Sequence, residues 1–234
     1  MTIKMLLPLV ALMTCWHGSS QAARPFMTDD ARLTTEGSCQ VESWTRRYAD
    51  RTENWALPAC NPTGNLEVTL GGGSFKDPQQ GASQDQVIQA KTLWKRMTPN
   101  GWGGGVALGQ FRHPSANVGP NNLGNTFVYV PLSVSFMDDR LVSHTNLGWS
   151  RDKSSRNDQF NWGMGMEYQA TGRWLLIAET FGDDRQKPFW QSGLRFGVIP
   201  GVLQVDATRG AQWGAGSKNR WLSMGVRFTP EKLF

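Results

Sequence analysis

The sequence predicts an all-β fold, a transmembrane antiparallel up-and-down β-barrel of about twelve strands. Three observations indicate it: segments in which apolar and polar residues alternate, an export signal at the N-terminus, and a high content of Trp and Gly. The clearest alternating segment is 160–168, and the pattern recurs at 190–198 and 222–228. A soluble sandwich would also alternate, but aromatic-rich strands of roughly ten residues behind an export signal favour a membrane barrel.

The N-terminus has the pattern of a signal peptide. Lys4 precedes an apolar run that is followed by polar and small residues. The run has about ten residues, too short for the roughly twenty that a spanning helix needs. We therefore assign residues 1–22 to a signal peptide cleaved after Ala22. The alternative is a lipoprotein site at Cys15, which the bulk of the preceding Thr14 disfavours.

Composition fits a barrel in the outer membrane of a Gram-negative cell. A mean hydropathy of −0.43 resembles that of a soluble protein, but half of each barrel strand faces a polar lumen. The 11 Trp and 26 Gly among 234 residues are more informative, because Trp favours the membrane interface and Gly is tolerated in curved sheets. Without Lys4 the chain has 23 basic and 19 acidic residues, a net charge of +4. These charges form no run, so nucleic-acid binding has little support.

Twelve strands follow from the alternation along residues 38–234, which we assign to the barrel. Ten strands are the alternative, because the first two segments alternate poorly and Pro58 lies in the second. Boundaries of this kind carry errors of about two to four residues. The predicted strands are 38–48, 53–59, 65–75, 85–97, 101–112, 125–137, 140–151, 159–170, 173–183, 188–198, 202–210 and 219–228.

The connections provide an independent check on this topology. Bacterial barrels have short periplasmic turns and longer outer loops. The predicted turns at 98–100, 138–139, 171–172 and 199–201 are short, whereas 76–84, 113–124, 152–158, 182–187 and 211–218 are longer and rich in Gly, Asn, Ser or charge. The two kinds alternate along the chain, which places both termini in the periplasm.

Two cysteines remain after signal cleavage, Cys39 and Cys60. In an oxidising compartment an even pair favours a disulfide. The first opens one strand and the second follows the next, so both lie at the base of one hairpin, within bonding reach. Two reduced structural cysteines are the alternative. We expect no metal site, because His113 and His144 are far apart in sequence and few other ligands are available.

The inward faces of the predicted strands carry charges of both signs. If the Trp- and Phe-rich faces contact lipid, the opposite faces line the lumen. Such charges would tune the passage of ions or solutes, or they would pair across a narrow interior and close it. The residues that we expect to face the lumen are Lys91, Lys95, Glu167, Glu179, Arg195 and Arg227.

Residues 23–37 precede the first strand and carry Phe26, Asp29, Asp30 and Arg32. This segment could enter the lumen as a plug or gate. It could instead form a periplasmic lead-in that caps the base of the barrel. We favour the lead-in, because chain termini are often loosely held.

Two stretches near the N-terminus carry a family resemblance: RPFMTDDARLTTEGSCQVESW at 24–44 and ENWALPACNPTGNLEVTLGGG at 53–73. They resemble the opening of the phenol meta-pathway outer-membrane transporter family. The resemblance implies a β-barrel that passes small, often aromatic or hydrophobic compounds, and it implies no catalytic residues. The C-terminus departs from common barrel sequences, because Pro230 cannot donate a ladder hydrogen bond. We therefore expect the last strand to end at 226–228, with Phe234 in a tail.

We expect a monomeric channel for the passive uptake of small molecules, with no cofactor. Its expected partners are outer-membrane lipids, the barrel-assembly machinery and a small-molecule solute. A structural or adhesive barrel is one alternative. An outer-membrane acyl hydrolase is another, because His113 and Ser115 are two residues apart. Pro114 between them and the loop character of this stretch disfavour a rigid catalytic wall, so we expect no enzyme.

Overall fold

The computed structural model describes residues 26–77, 81–112, 125–152, 155–214 and 219–234. The predicted signal peptide and the pair His113 and Ser115 lie outside these residues. In the described part of the chain, no helix is both long enough and apolar enough to cross a membrane.

Twelve antiparallel strands form one closed sheet. Each strand pairs with its neighbours along the chain, and β1 pairs with β12 to close the barrel. This architecture confirms the predicted fold and the count of twelve. The strands are β1 (Ser38–Tyr48), β2 (Thr52–Asn61), β3 (Leu66–Asp77), β4 (Gly81–Lys95), β5 (Trp102–Arg112), β6 (Asn125–Phe136), β7 (Leu141–Arg151), β8 (Asp158–Gln169), β9 (Trp174–Asp183), β10 (Phe189–Ile199), β11 (Leu203–Gln212) and β12 (Arg220–Phe228).

Two prolines lie within strands, which explains why the second strand is hard to recognise. Pro58 pairs with Val41 on β1, while no pairing with β3 is formed between Ala56 and Ala59. Pro131 on β6 likewise pairs with β7 but not with β5. Proline lacks an N–H and cannot donate a ladder hydrogen bond, and each proline lies where pairing with one neighbouring strand is interrupted. The strands continue because their other edge is fully paired.

The outer surface of the barrel is apolar, whereas the inner surface carries polar and charged side chains together with a group of aromatic ones. Leu222 and Met224 on β12 are 67% and 73% exposed, whereas Ser223 between them is 2% exposed. The same contrast holds on β8, where Met164 and Met166 are exposed and Glu167 is buried. A closed sheet pairs its backbone groups between strands, and an apolar exterior is favourable against lipid, so the barrel is suited to the outer membrane.

The two ends of the barrel differ. The start of β1, the end of β12 and the short turns after β6, β8 and β10 lie at one end. Tight turns there use left-handed backbone, with φ of 54° at Asp138 and 75° at Gly201. Short turns mark the periplasmic side of bacterial barrels, so we refer to this end as the base. The tail after Phe228 also lies at the base, where Leu233 and Phe234 donate backbone hydrogen bonds to Gly37.

Candidate functional site

The segment that precedes β1 lies against the inner wall of the barrel. Phe26, Thr28, Asp30, Ala31 and Thr34 are all buried, and their partners belong to strands on several sides of the sheet. We call residues 26–36 the inner segment. These residues contact side chains that face the lumen, so the segment lies inside the barrel and not beneath its base.

Glu179 on β9 anchors the start of the inner segment. Its two carboxylate oxygens accept the backbone N–H groups of Met27 and Thr28, each at 2.8 Å. Gln191 on β10 donates its side-chain amide to the same carboxylate. A buried carboxylate with three donors is well satisfied, so this site fixes the segment by its backbone rather than by its side chains.

Lys91 on β4 holds the middle of the inner segment. Its ammonium lies 3.1 Å from Asp29 Oδ1 and 3.8 Å from Asp30 Oδ1. It also lies 3.6 Å from Glu67 Oε1 on β3. The hydroxyl of Tyr129 donates to Asp29 at 2.6 Å. One cation therefore neutralises acids from both the barrel wall and the segment.

The pKa of Asp30 depends on its burial and on the neighbouring cations. Asp30 is 4% exposed, and burial raises its pKa above the ordinary value for an aspartate, although Lys91 and Arg32 oppose the shift. Raised acid pKa values arise where a charge loses water without full compensation. Burial in the docked segment therefore disfavours the charged form of Asp30 relative to water, and Lys91 and Arg32 offset part of that penalty.

Glu167 on β8 is the centre of a second buried cluster. Its carboxylate lies 2.6 Å from Arg195 Nη1 on β10 and 3.4 Å from Arg32 Nη1 of the inner segment. His144 Nε2 on β7 lies 3.6 Å away. The Glu167 carboxylate is therefore contacted by two guanidinium groups, one from the wall and one from the segment. Removing one partner of a buried ion pair is strongly destabilising.

A hydrogen-bond chain links this cluster to the backbone of the inner segment. His144 Nδ1 lies 2.8 Å from Ser133 Oγ on β6, and that hydroxyl accepts the N–H of Ala31 at 2.9 Å. Ser133, His144 and Glu167 have the residue types of a hydrolytic triad. Here the serine oxygen is covered by Ala31 and the glutamate is engaged by arginines, so the chain serves to dock the segment.

The base of the inner segment is tied where it enters β1. Thr34 donates its N–H to Glu67 at 2.6 Å, and its carbonyl accepts the amide of Asn61 at 2.7 Å. Gly37 then donates to the carbonyl of Asn61. Cys39 and Cys60 form the predicted disulfide one residue pair further along the β1–β2 hairpin. The end of the segment is therefore held by β2, β3 and a covalent bond.

Five of the six residues that the sequence places in the lumen are buried inside the barrel: Lys91, Glu167, Glu179, Arg195 and Arg227. The first four belong to the contacts above, either directly with the inner segment or through Glu167. Arg227 lies apart near the base, where its Nε donates to Gln40 at 3.1 Å and to Thr229 at 3.0 Å.

Lys95 differs from the prediction, because it lies on the outer face of the barrel. The register between β4 and β5 shifts between Leu93 and Lys95, so that Lys95 pairs with Gly104. Its ammonium lies 3.9 Å from the ring centroid of Trp102, which is 45% exposed. A bulge adds one residue to a strand and re-aims the side chains beyond it. Simple alternation along β4 does not reveal it.

A cavity of about 590 Å³ lies between the inner segment and the barrel wall, and most of its wall residues belong to β1 to β6. Each inward residue of β1 from Gln40 to Tyr48 lines it, a length of roughly 25 Å along the strand. Aromatic rings line much of this wall. Trp44 stacks on Trp55 with centroids 5.8 Å apart, and Phe111 meets the edge of Trp55 at 5.7 Å.

Glycines create the space in which these rings lie. A Cβ atom at Gly73 would lie 2.6 Å from Cδ2 of Trp55, and one at Gly109 would lie 2.5 Å from Cζ of Phe127. Such contacts are shorter than any side chain tolerates, so these inward positions require glycine if the rings are to rest against the sheet. The glycines thus widen the lumen on the aromatic side.

Sequence reasoning identified the charged wall residues but not their main partners. The sequence does not single out Ser133, although Val128, Leu132 and Val134 on β6 alternate with it and place it on the inward face. Asp29, Asp30 and Arg32 were noted, but the inner segment has no alternation that would indicate a docked conformation. In the described residues, no group of three His, Cys, Asp or Glu side chains is suited to bind a metal ion.

Several solved outer-membrane channels share this fold. The KdgM porin has a TM-score of 0.59 at 9% identity, over 81% of this chain and 98% of that chain. The NanC porin has 0.59 at 12% identity, also over 81% and 98%. The COG4313 outer membrane channel from Pseudomonas putida F1 has 0.57 at 11% identity, over 86% and 98%. At these identities the likeness establishes the fold alone.

At the level of sequence, no curated protein matches the chain. One family model does, over residues 11–229. That span runs from the N-terminal apolar stretch through the inner segment to the residue after β12, and so it includes every side chain of the site. The chain belongs to the family described as "Uncharacterised conserved protein UCP029691".

Proposed function

We propose that the protein is an outer-membrane channel for the passive uptake of small solutes, and that the inner segment gates it. The observation that carries this proposal is the cavity that follows β1 from Gln40 to Tyr48. A barrel closed by its own side chains would have no such continuous space. Here one side of the cavity is formed by residues 26–36, whose covalent connection to the barrel is at Gly37.

The lining of the cavity supports aromatic or hydrophobic solutes as its cargo. Trp44, Trp55, Phe111 and Phe127 present ring faces and edges along one wall, and aromatic pairs of this kind favour further flat apolar groups. The opposite side carries Asp29 and the other charges of the inner segment, which would orient a polar substituent. The resemblance of 24–44 and 53–73 to the phenol meta-pathway transporters supports the same class of solute.

A disulfide that locks the inner segment tests the gate. A Cβ atom at Gly163 on β8 would lie 3.3 Å from Cβ of Thr28, close to the spacing of natural disulfides. The double variant Thr28→Cys/Gly163→Cys should therefore cross-link when oxidised. We expect its single-channel conductance in planar bilayers to be low when oxidised and to rise on reduction, with steps that small aromatic acids alter.

Two controls make the result interpretable. Wild-type protein with and without reductant reports the effect of opening the Cys39–Cys60 disulfide alone, and the single variant Thr28→Cys reports the loss of the threonine. Equal conductance of the cross-linked and reduced double variant would exclude a gating role for the segment. A folded, heat-modifiable barrel that never conducts in any of these forms would exclude the channel itself.

A further inference from the structure

An open recess of about 630 Å³ lies at the rim of the barrel opposite the base, where β1, β10, β11 and β12 end. It is separate from the lumen cavity, because its principal side chains are on the outer face. We call it the rim recess. Those side chains are Arg47, Trp190, Arg209, Trp213, Arg220 and Leu222.

Strand register brings arginines together on this face. Leu222 on β12 pairs with Arg47 on β1 and with Arg209 on β11. Directly paired residues share a face of the sheet, and Leu222 is 67% exposed. Two guanidinium groups therefore flank one apolar side chain. Arg220 lies two residues before Leu222 and points to the same side.

The recess combines cationic and interfacial aromatic groups. The guanidinium of Arg209 lies 5.9 Å from the ring centroid of Trp190, and Trp213 lies 6.2 Å from Trp190. Trp side chains favour the boundary between lipid headgroups and hydrocarbon. The neighbouring Met224 is 73% exposed and continues the apolar surface toward the base. This combination of groups is typical of the boundary between headgroups and acyl chains.

The charged side chains that line the rim recess, among the described residues, are all arginines. None of the described residues that line it is acidic. By contrast, Arg151 on the outer face of β7, near the same end of the barrel, lies 3.8 Å from Asp158. Clustered arginines create a positive potential, and the planar guanidinium matches phosphate oxygens in pairs.

We propose that the rim recess binds the phosphate groups of an anionic lipid in the outer leaflet of the membrane. Arg47, Arg209 and Arg220 would contact the phosphates, Trp190 and Trp213 would pack against the sugar or glycerol part of the headgroup, and Leu222 would contact the acyl chains. The site requires only the membrane-inserted barrel and is independent of whether the lumen conducts.

Lipid binding by the refolded full-length mature protein tests the proposal. Native mass spectrometry in detergent would measure the affinity for diphosphorylated lipid A. The variant Arg47→Gln/Arg209→Gln/Arg220→Gln should bind at least about tenfold more weakly, since each basic group near an anionic headgroup contributes appreciably. The matched control Arg140→Gln/Arg151→Gln/Arg173→Gln removes three exposed arginines elsewhere and should bind as the wild type does. The single variant Arg209→Gln, with an intermediate loss expected, serves if the triple variant fails to fold.

Two further probes identify the source of the phosphate. Lipid A without its phosphates should bind no more strongly to the wild type than to the triple variant, and inorganic pyrophosphate should not displace the lipid. Equal affinity of the wild type and the folded arginine variants for diphosphorylated lipid A would overturn the proposal. Displacement by pyrophosphate at the concentration of the lipid would also overturn it, because the site would then bind a free anion.

Discussion

At the scale of single residues, Lys91 is a buried cation that contacts both the barrel wall and the inner segment. It is buried and lies within 3.8 Å of three carboxylates, those of Asp29, Asp30 and Glu67. Asp29 and Asp30 come from the inner segment and Glu67 from the wall. The lysine therefore stabilises both the interior of the sheet and the docked position of the segment.

Replacing Lys91 by Gln should loosen the inner segment. The variant leaves buried carboxylates without their cation, at a cost of about 3–5 kcal/mol. We expect faster hydrogen exchange at residues 27–34 and a higher channel conductance than in the wild type. Lys95→Gln is the matched control, because Lys95 contacts Trp102 on the outer face. Unchanged exchange in a folded Lys91→Gln barrel would exclude this role for the lysine.

At the scale of elements, the junction between the inner segment and β1 is the point about which the segment would move. Gly37 has a φ of 70°, in the left-handed region that side chains disfavour. A Cβ atom there would lie 2.6 Å from the backbone oxygen of Phe234. The C-terminal tail and the inner segment thus meet at one glycine.

Gly37→Ala should therefore destabilise this junction. Strain in the left-handed region costs roughly 1–3 kcal/mol, and the contact with Phe234 adds to it. We expect a lower urea midpoint for release of the inner segment, followed by protease sensitivity near residues 33–38. Gly172→Ala is the control, since a Cβ atom there would meet no atom within 4 Å. Similar protease patterns for the two variants would contradict the assignment.

The elements differ in how far the sequence predicts them. β8 and β12 have strict alternation of apolar and polar residues, and their predicted bounds lie within one residue of the observed ones. β4 begins four residues before its predicted start and contains the bulge that re-aims Lys95, because a polar strand end and an inserted residue leave no periodic signal. The inner segment is held by contacts with distant strands, which local pattern does not report.

At the scale of the whole molecule, the apolar exterior accounts for the membrane-inserted state. Met224 is 73% exposed and lies in the middle of β12. Its exposure would be unfavourable in water and is favourable in hydrocarbon. The belt to which it belongs surrounds an interior that contains the buried charged residues, which is the reverse of a soluble protein.

Met224→Arg should weaken insertion of the barrel. An arginine at the lipid face near the bilayer midplane costs about 2–4 kcal/mol. We expect a lower folded fraction in vesicles, measured by heat-modifiable gel mobility across a urea series. Met137→Arg is the control, because Met137 is 56% exposed in the turn after β6. Equal midpoints for both variants would show that position 224 does not face hydrocarbon.

The partners of the inner segment are spread over five strands of the barrel. Glu67, Lys91, Ser133, Glu167 and Glu179 belong to β3, β4, β6, β8 and β9. No hairpin or half-barrel contains the set, so the full set of contacts requires all five strands to be in place. We therefore expect complete docking to come late in folding. A fully docked inner segment would therefore indicate that the strands around it have assembled.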